Sequence, residues 1–144
     1  MSRRPGFLAD ERGGTAVEFS LVITALFMLL FGVLEFGWYL WTANALQQTA
    51  IQTARCMGVL NTSCAPGRAY SSTSTTSFAQ QIAAAYGISL PTADVTLSAG
   101  ATCAGVANFS QVTLSYSFTT LVPNLVTGLS SVAMTSQACF PNQS

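Results

Sequence analysis

Two carboxylates stand at the edge of, and inside, the most apolar stretch of this 144-residue chain. Glu18 comes directly before the stretch and Glu35 lies within it, although Asp and Glu together number only 5. An ionised carboxylate at membrane depth costs several kcal/mol unless a partner neutralises it. The chemistry that these two acids suggest is charge pairing within a membrane assembly.

Composition argues against an enzyme, a metal site and a nucleic-acid-binding surface. The chain has no His and no Lys, which removes the usual general base, the commonest metal ligand and Schiff-base chemistry. Asp94 is the only acid after Glu35, so the C-terminal part cannot hold a catalytic carboxylate pair. A net charge of zero gives no basic field for nucleic acid. We expect no catalytic residue, no metal ligand and no cofactor.

The element that must carry the acids is a long apolar helix. Phe19 to Trp41 is 23 residues with one charge, and at about 1.5 Å per residue it covers roughly 34 Å, enough to cross a bilayer. So small a chain cannot surround such a rod as a buried core helix. Trp38, Tyr39 and Trp41 cluster at its C-terminal end, which is typical of an interfacial aromatic belt.

The flanking charges predict the orientation of this single-pass span. Arg3, Arg4 and Arg12 precede it, whereas only Arg55 and Arg68 follow it. Because short positive flanks stay in the cytoplasm, we expect the N-terminus inside and the larger C-terminal part outside.

A cleavable secretory signal is the competing interpretation of the same segment. The start is basic, an apolar run follows, and the sequence ANA at residues 43–45 fits a cleavage pattern. Against it, the apolar run is longer than the usual signal core, and Glu35 interrupts the run.

The sequence GGTAVEF, residues 13–19, resembles the processing site of type IV prepilins in the variant of Flp and TadE-like pilins. In that family a membrane peptidase cuts after the Gly, and a Glu is the fifth residue of the mature chain. The resemblance implies cleavage between Gly13 and Gly14, and an assembly contact at Glu18 with Phe19 beside it. Glu18 would pair with the new α-amino group of a neighbouring subunit. Alternatively, Glu18 is an interfacial carboxylate stabilised by the helix dipole.

The sequence FGVLEFG and the amide-rich stretch after it resemble the TadE-like domain. The matching residues are Phe31, Gly32, Glu35, Phe36, Gly37, Asn44, Gln47 and Arg55. The resemblance implies a minor pilin or pseudopilin of a bacterial tight-adherence system, acting in Flp pilus assembly and surface attachment. Its partners would be the lipid bilayer, other pilin subunits, a prepilin peptidase and platform proteins of the secretion system. For the intramembrane acid Glu35, a contact with such a partner and a protonated carboxyl hydrogen-bonded within the bilayer both remain open.

Beyond the span the helical pattern continues. Small and apolar residues recur every three or four positions at Ala43, Leu46, Ala50, Ala54 and Met57. This spacing predicts one helix from about Thr15 to Met57, with Gly58 as its stop. Turn chemistry predicts a loop over 59–76, and then a short helix that Ser77 caps and Gly87 ends.

Strand signals fill the remainder. Residues 111–120 alternate strictly, and weaker strands are expected at 95–98 and 131–140, with residues 120–128 linking the last two. These elements predict an α+β fold: a long N-terminal transmembrane helix that continues into a small exported domain. That domain would contain a short second helix and a three- to four-stranded antiparallel sheet, as in a pilin.

Four cysteines all fall on the expected outer side. In an exported small domain they suggest two disulfides, and we favour Cys56–Cys64 with Cys103–Cys139. Four buried free thiols are the alternative. A zinc site is less well supported, because no C-x-x-C pair occurs.

These expectations divide the chain into a cytoplasmic leader (1–13), a long helix (14–57) and an exported domain (58–144). The predicted location is the bacterial inner membrane, with the domain in the periplasm. Whether the mature protein also enters a surface pilus stays open. The alternative function is a membrane-anchored periplasmic or surface binding module without prepilin processing, whose neutral Ser/Thr-rich domain binds a glycan or peptide.

Overall fold

A computed structural model describes residues 12–120 and 131–143 of the chain. The chain divides into two compact units, Met1–Gly37 and Trp38–Ser144. Most of the predicted leader, and the predicted link between the last two strands, lie outside the described residues. The fold class is the predicted one, α+β with a long N-terminal apolar helix, a short second helix and an antiparallel sheet.

Helix α1 spans Arg12–Gly58, 47 residues, and so begins and ends slightly outside the predicted bounds. Within the first unit its side chains from Gly14 onward are exposed, apart from the partly buried Ile23 and Glu35. By length and composition it is the one helix among the described residues that could cross a membrane. Such a helix, apolar on all sides, needs a lipid or protein environment around it.

Gly58 is the last residue of α1, and β3 approaches it closely. A Cβ at this position would lie 2.5 Å from Phe140 Cδ1 and 2.9 Å from the Pro141 carbonyl oxygen. The Gly58 carbonyl, one of the four that a helix end leaves without an intrahelical donor, accepts the Gln143 N–H at 2.9 Å. The helix ends at the predicted residue. The left-handed conformation that follows a helix end is at Leu60 (φ 51°), so close packing is the reason for glycine at position 58.

Helix α2 spans Ser72–Ala85, and its predicted start at Ser77 is wrong. Ser71 is the N-cap, and its hydroxyl accepts the Ser74 N–H at 3.3 Å. The buried Thr75 hydroxyl donates to the Ser71 carbonyl at 2.8 Å. The Ser/Thr run that suggested a loop therefore forms the first turn of the helix. Gly87 follows the helix end with φ +79°, as a C-terminal glycine should.

The sheet has three strands in the order β1-β2-β3, all antiparallel: β1 Val95–Cys103, β2 Val106–Thr119 and β3 Ser131–Pro141. A two-residue turn of Ala104 (φ 51°) and Gly105 (φ 83°) joins β1 to β2. Two positive φ angles favour the twist of a hairpin. The strand predicted at 95–98 covers only the first four residues of β1, because Ala-Gly is a weaker hairpin signal than Asn-Gly.

The core lies between the second half of α1 and one face of the sheet, with α2 and the following loop at its side. Its buried residues are Ala45, Leu46, Ala50, Ala54, Met57, Ala83, Ile88, Leu90, Val112, Leu114, Phe118, Met134 and Ala138. Four of the five residues of the predicted α1 stripe are buried, and Ala43 packs against the cluster half-buried. The predicted inner face of β2 is buried too, except for the half-buried Tyr116.

Asn142 joins all three strands at the far end of the sheet. Its Nδ2 donates to the Ala99 carbonyl at 2.7 Å and to Asn108 Oδ1 at 3.1 Å. Its Oδ1 accepts the Ser110 hydroxyl at 2.6 Å. Asn108 itself has φ 70°, and β1 has two register shifts nearby. These irregularities bring the outer strands towards each other across β2.

Candidate membrane and assembly site

The predicted processing and assembly residues lie on the first turns of α1. Gly14 and Glu18 are exposed and four positions apart, so they share one face of the helix. A Cβ at Gly14 would meet nothing within 4 Å, and Phe19 is 67% exposed. Cleavage after Gly13 requires this turn to open, and two adjacent glycines lower the cost of opening it.

The two acids are not brought together. Both belong to the first unit, and 17 helical residues separate them by about 25 Å along the axis and about 260° around it. Glu18 is exposed, whereas Glu35 is partly buried. They cannot act as a pair within one chain, so each must be explained by its own surroundings.

Hydroxyl groups inside the apolar stretch are satisfied by the helix itself. The Ser20 hydroxyl donates to the Val17 carbonyl at 2.8 Å, and the Thr24 hydroxyl donates to the Ser20 carbonyl at 2.7 Å. Such bonds let Ser and Thr lie in lipid without an unmet donor. These residues were not among the predicted ones, although a Ser or Thr inside a helix can bond the carbonyl three or four residues before it.

The apolar surface of the first unit surrounds the helix. Its large side chains, each at least 45% exposed, are Val17, Phe19, Leu21, Val22, Leu26, Phe27, Met28, Leu29, Leu30, Phe31, Val33, Leu34 and Phe36. Gly32 and Gly37, which flank Glu35, leave the backbone bare: a Cβ at either would meet nothing within 4 Å. Among the described residues of the unit, nothing packs against these glycines closely enough to explain them.

The amides after the span have different roles. Asn44 Nδ2 donates to the Leu40 carbonyl at 3.0 Å and stays exposed. Gln47 joins α1 to β3, because its Oε1 accepts the Ser136 hydroxyl and its Nε2 donates to the Gln137 carbonyl at 3.4 Å. Gln47 thus helps to fix the sheet on the helix, a role that its sequence position alone could not reveal.

The aromatic cluster at the end of the span is divided. Trp38 is 49% exposed and Trp41 56% exposed. Tyr39 instead packs edge-on against Phe118, with ring centroids 5.7 Å apart. Tyr39 is therefore half-buried against the sheet, whereas Trp38 and Trp41 are exposed, and the interfacial belt stays a prediction.

The four cysteines form two disulfides, Cys56–Cys64 and Cys103–Cys139, the pairing favoured from the sequence. The first closes the loop at the end of α1, with both residues buried. The second joins the ends of β1 and β3 over the central strand. Among the described residues, no group of three or more His, Cys, Asp or Glu could hold a metal ion.

The comparison with protein families gives a match that begins at the predicted cut site. Residues 13–55, under a third of the chain, match the family described as TadE-like protein.

Residues 13–55 are similar to TadE-like proteins and are called the TadE-like segment below.

The match confirms the resemblance noted in the sequence, and every motif residue named for it lies within the TadE-like segment. Similarity to this family suggests a component associated with a tight-adherence pilus. The comparisons with curated proteins and with solved structures gave no match. Helix α2 and the three strands lie wholly outside the TadE-like segment.

Proposed function

We propose that this protein is a minor pilin or pseudopilin of a tight-adherence system, acting in the assembly of Flp-type pili and in surface attachment. The observation that carries the proposal is the exposed Glu18, at the start of an apolar helix, four residues after Gly14 in a TadE-like segment. Its role is structural rather than catalytic. Its partners are the lipid bilayer, other pilin subunits, a prepilin peptidase and the membrane platform of the system.

Electrostatics explains why cleavage and assembly are linked. Cutting after Gly13 creates an α-amino cation at Gly14. In lipid, where an isolated charge costs several kcal/mol, the Glu18 carboxylate of one subunit and this cation of its neighbour neutralise each other. The pairing favours lateral assembly and sets the stagger between subunits.

The flanking arginines support an inner-membrane protein with a cytoplasmic N-terminus and a periplasmic domain. The core supports an uncut helix rather than a secretory signal. Cleavage after Ala45 would remove Thr42 and Ala45, both buried, together with the Tyr39–Phe118 contact. The remaining domain would begin with an open core.

The mass of the membrane-bound protein tests the proposal. In cells with an active prepilin peptidase we expect a chain that begins at Gly14, and in cells without the peptidase a chain that keeps its leader. A chain beginning at Leu46 would support a secretory signal. A chain that keeps Met1 in the presence of the peptidase would support the membrane-anchored binding module and overturn the pilin role.

A further inference from the structure

The second unit begins with a turn of α1 that presents different chemistry to its two sides. Tyr39 contacts Phe118 of the sheet, and Thr42 is buried. Trp38, Leu40 and Trp41 are 49%, 44% and 56% exposed. These last three residues are called the indole surface below. The sheet and the indole surface therefore share one helical turn, with the aromatic side chains divided between them.

The exposed face of α1 changes from apolar to amide just beyond this turn. Leu40 and Trp41 are followed on the same face by Asn44, Gln48 and Arg55. From Trp41 to Asn44 is three residues, or about 4.5 Å of helix. Among the apolar residues that continue the hydropathy signal after Thr42, Ala45, Leu46 and Ala50 are at most 3% exposed, in the core, whereas Ile51 is 42% exposed. Burial thus marks a polarity boundary that the hydropathy of the sequence blurs.

We infer that the indole surface is a lipid-headgroup contact, which seats the base of the Trp38–Ser144 unit directly in the bilayer surface. This inference rests on the membrane span of the proposed function and specifies where that span ends. An indole has an apolar ring and one N–H donor, so it is most stable where hydrocarbon meets headgroups. The indole surface follows the exposed apolar residues 14–37 directly in the sequence, which favours lipid as its occupant.

Charge has no part in this contact. The sequence has no charged residue between Glu35 and Arg55, so the indole surface cannot depend on anionic lipids. Tyr39 also ties the end of the sheet to the same turn, since Phe118 pairs with Val132 and Thr119 with Ser131. The hydroxyl groups of Thr119 and Ser131 therefore lie at the end of the unit that meets the headgroups, where they find polar partners.

Fluorescence tests the inference directly, because the 2 Trp residues of the chain are both in the indole surface. The full chain is reconstituted in phosphatidylcholine vesicles whose acyl chains carry bromine either near the headgroup or near the bilayer centre. The variants Trp38→Phe and Trp41→Phe leave one indole each. We expect quenching by shallow bromine to exceed quenching by deep bromine at least about twofold for each indole. Adding an anionic lipid should leave the ratio unchanged.

Two control variants place a single Trp elsewhere on the exposed helix, in a chain with both native indoles replaced by Phe. Leu30→Trp lies within the span at a residue 45% exposed, and Ile51→Trp lies in the amide-rich stretch at a residue 42% exposed. Deep bromine should quench the first more than shallow bromine does. Neither lipid should quench the second.

The outcomes separate this inference from the proposed function. If deep bromine quenched the Leu30→Trp control while neither lipid quenched the native indoles, the indole surface would contact protein or water, and the inference would fail with the span intact. Stronger quenching of the native indoles by deep bromine would also overturn it. If bromine did not quench the Leu30→Trp control, α1 would not cross the bilayer, and the pilin proposal would fail as well. Failure of leader cleavage leaves the quenching pattern unchanged.

Discussion

At the scale of single residues, the acids and glycines of α1 differ in what their own chain explains. The close approach of Phe140 accounts for Gly58. Glu18, Gly14, Gly32 and Gly37 face outwards, and a Cβ at any of these three glycines would touch nothing within 4 Å. The role of the outward-facing residues is best tested by measuring assembly, and the role of Gly58 by measuring stability.

Replacing Glu18 by Ala should leave the protein in the membrane but exclude it from assemblies, because the cation at Gly14 of the neighbour loses its carboxylate. Glu18→Gln, which keeps the shape and removes the charge, should have the same effect. Membrane flotation measures insertion, and cross-linking between subunits measures assembly. Ser20→Ala is the matched control, since its hydroxyl bonds only within the helix. Unchanged cross-linking of Glu18→Ala would refute the pairing.

Replacing Gly58 by Ala should destabilise the second unit by about 1–3 kcal/mol, because the new Cβ forces Phe140 and the Pro141 backbone to move. The gain in helix propensity, about 1 kcal/mol at most, offsets only part of this cost. Gly100→Ala is the control, as a Cβ there meets nothing within 4 Å. Thermal unfolding of the detergent-solubilised protein, followed by circular dichroism, measures both. Equal melting temperatures would contradict the close approach at Gly58.

At the scale of elements, sequence pattern predicts best where one physical signal dominates. The apolar run of α1 and the strict alternation of β2 both gave the right element, because burial in lipid or on one sheet face leaves a clear period. The start of α2 was missed because Ser and Thr favour loops locally, while Thr75 is buried by tertiary contacts that no local pattern encodes. The inward turn of Tyr39 was missed for the same reason: it depends on Phe118, far away in sequence.

The N-cap of α2 provides a direct test of its start. Ser71→Ala should cost about 1 kcal/mol, because the Ser74 N–H loses its acceptor. For a unit of this size the melting temperature should fall by about 4–8 °C. Ser77→Ala removes the cap expected from the sequence, yet should change stability by less than about 0.5 kcal/mol, because Ser77 is an exposed residue inside the helix. A larger loss of stability for Ser77→Ala than for Ser71→Ala would contradict a start at Ser72 and favour the shorter helix that Ser77 caps.

At the scale of the whole molecule, the Trp38–Ser144 unit combines a small core with two disulfide bonds. The long α1 face, the sheet and α2 share one cluster of buried residues, most of them small. The sequence predicted the part of this core that α1 and β2 supply, and the cysteine pairing. The core residues of α2, of the loop after it and of β3 were not predicted. The hydrogen bonds of Asn142 and the register shifts of β1 were not predicted, because no residue type in the sequence marks them.

The two disulfides should contribute unequally. Loop entropy alone gives about 4 kcal/mol for Cys103–Cys139, with a sequence separation of 36, and about 2.5 kcal/mol for Cys56–Cys64, with a separation of 8. Paired Cys→Ser variants unfolded in denaturant measure this difference.

Exposure predicts the order of reduction: a thiol reductant added to the folded protein should open Cys103–Cys139 first, since Cys139 is exposed whereas Cys56 and Cys64 are buried. Mass mapping of alkylated cysteines measures this order. Alkylation of Cys56 and Cys64 before Cys103 and Cys139 would contradict the prediction.

The amide of Asn142 carries a consequence for the ageing of the protein. Hydrolysis of that side chain to aspartate exchanges the Nδ2 donor for a charged oxygen, which then faces the Ala99 carbonyl and Asn108 Oδ1. The Ala99 carbonyl then loses its donor and faces a negative charge, in a domain that contains few charges to compensate it. This spontaneous change of one side chain would remove the hydrogen bond between Asn142 and β1. The Cys103–Cys139 disulfide would still link β1 to β3, which β2 separates in the sheet.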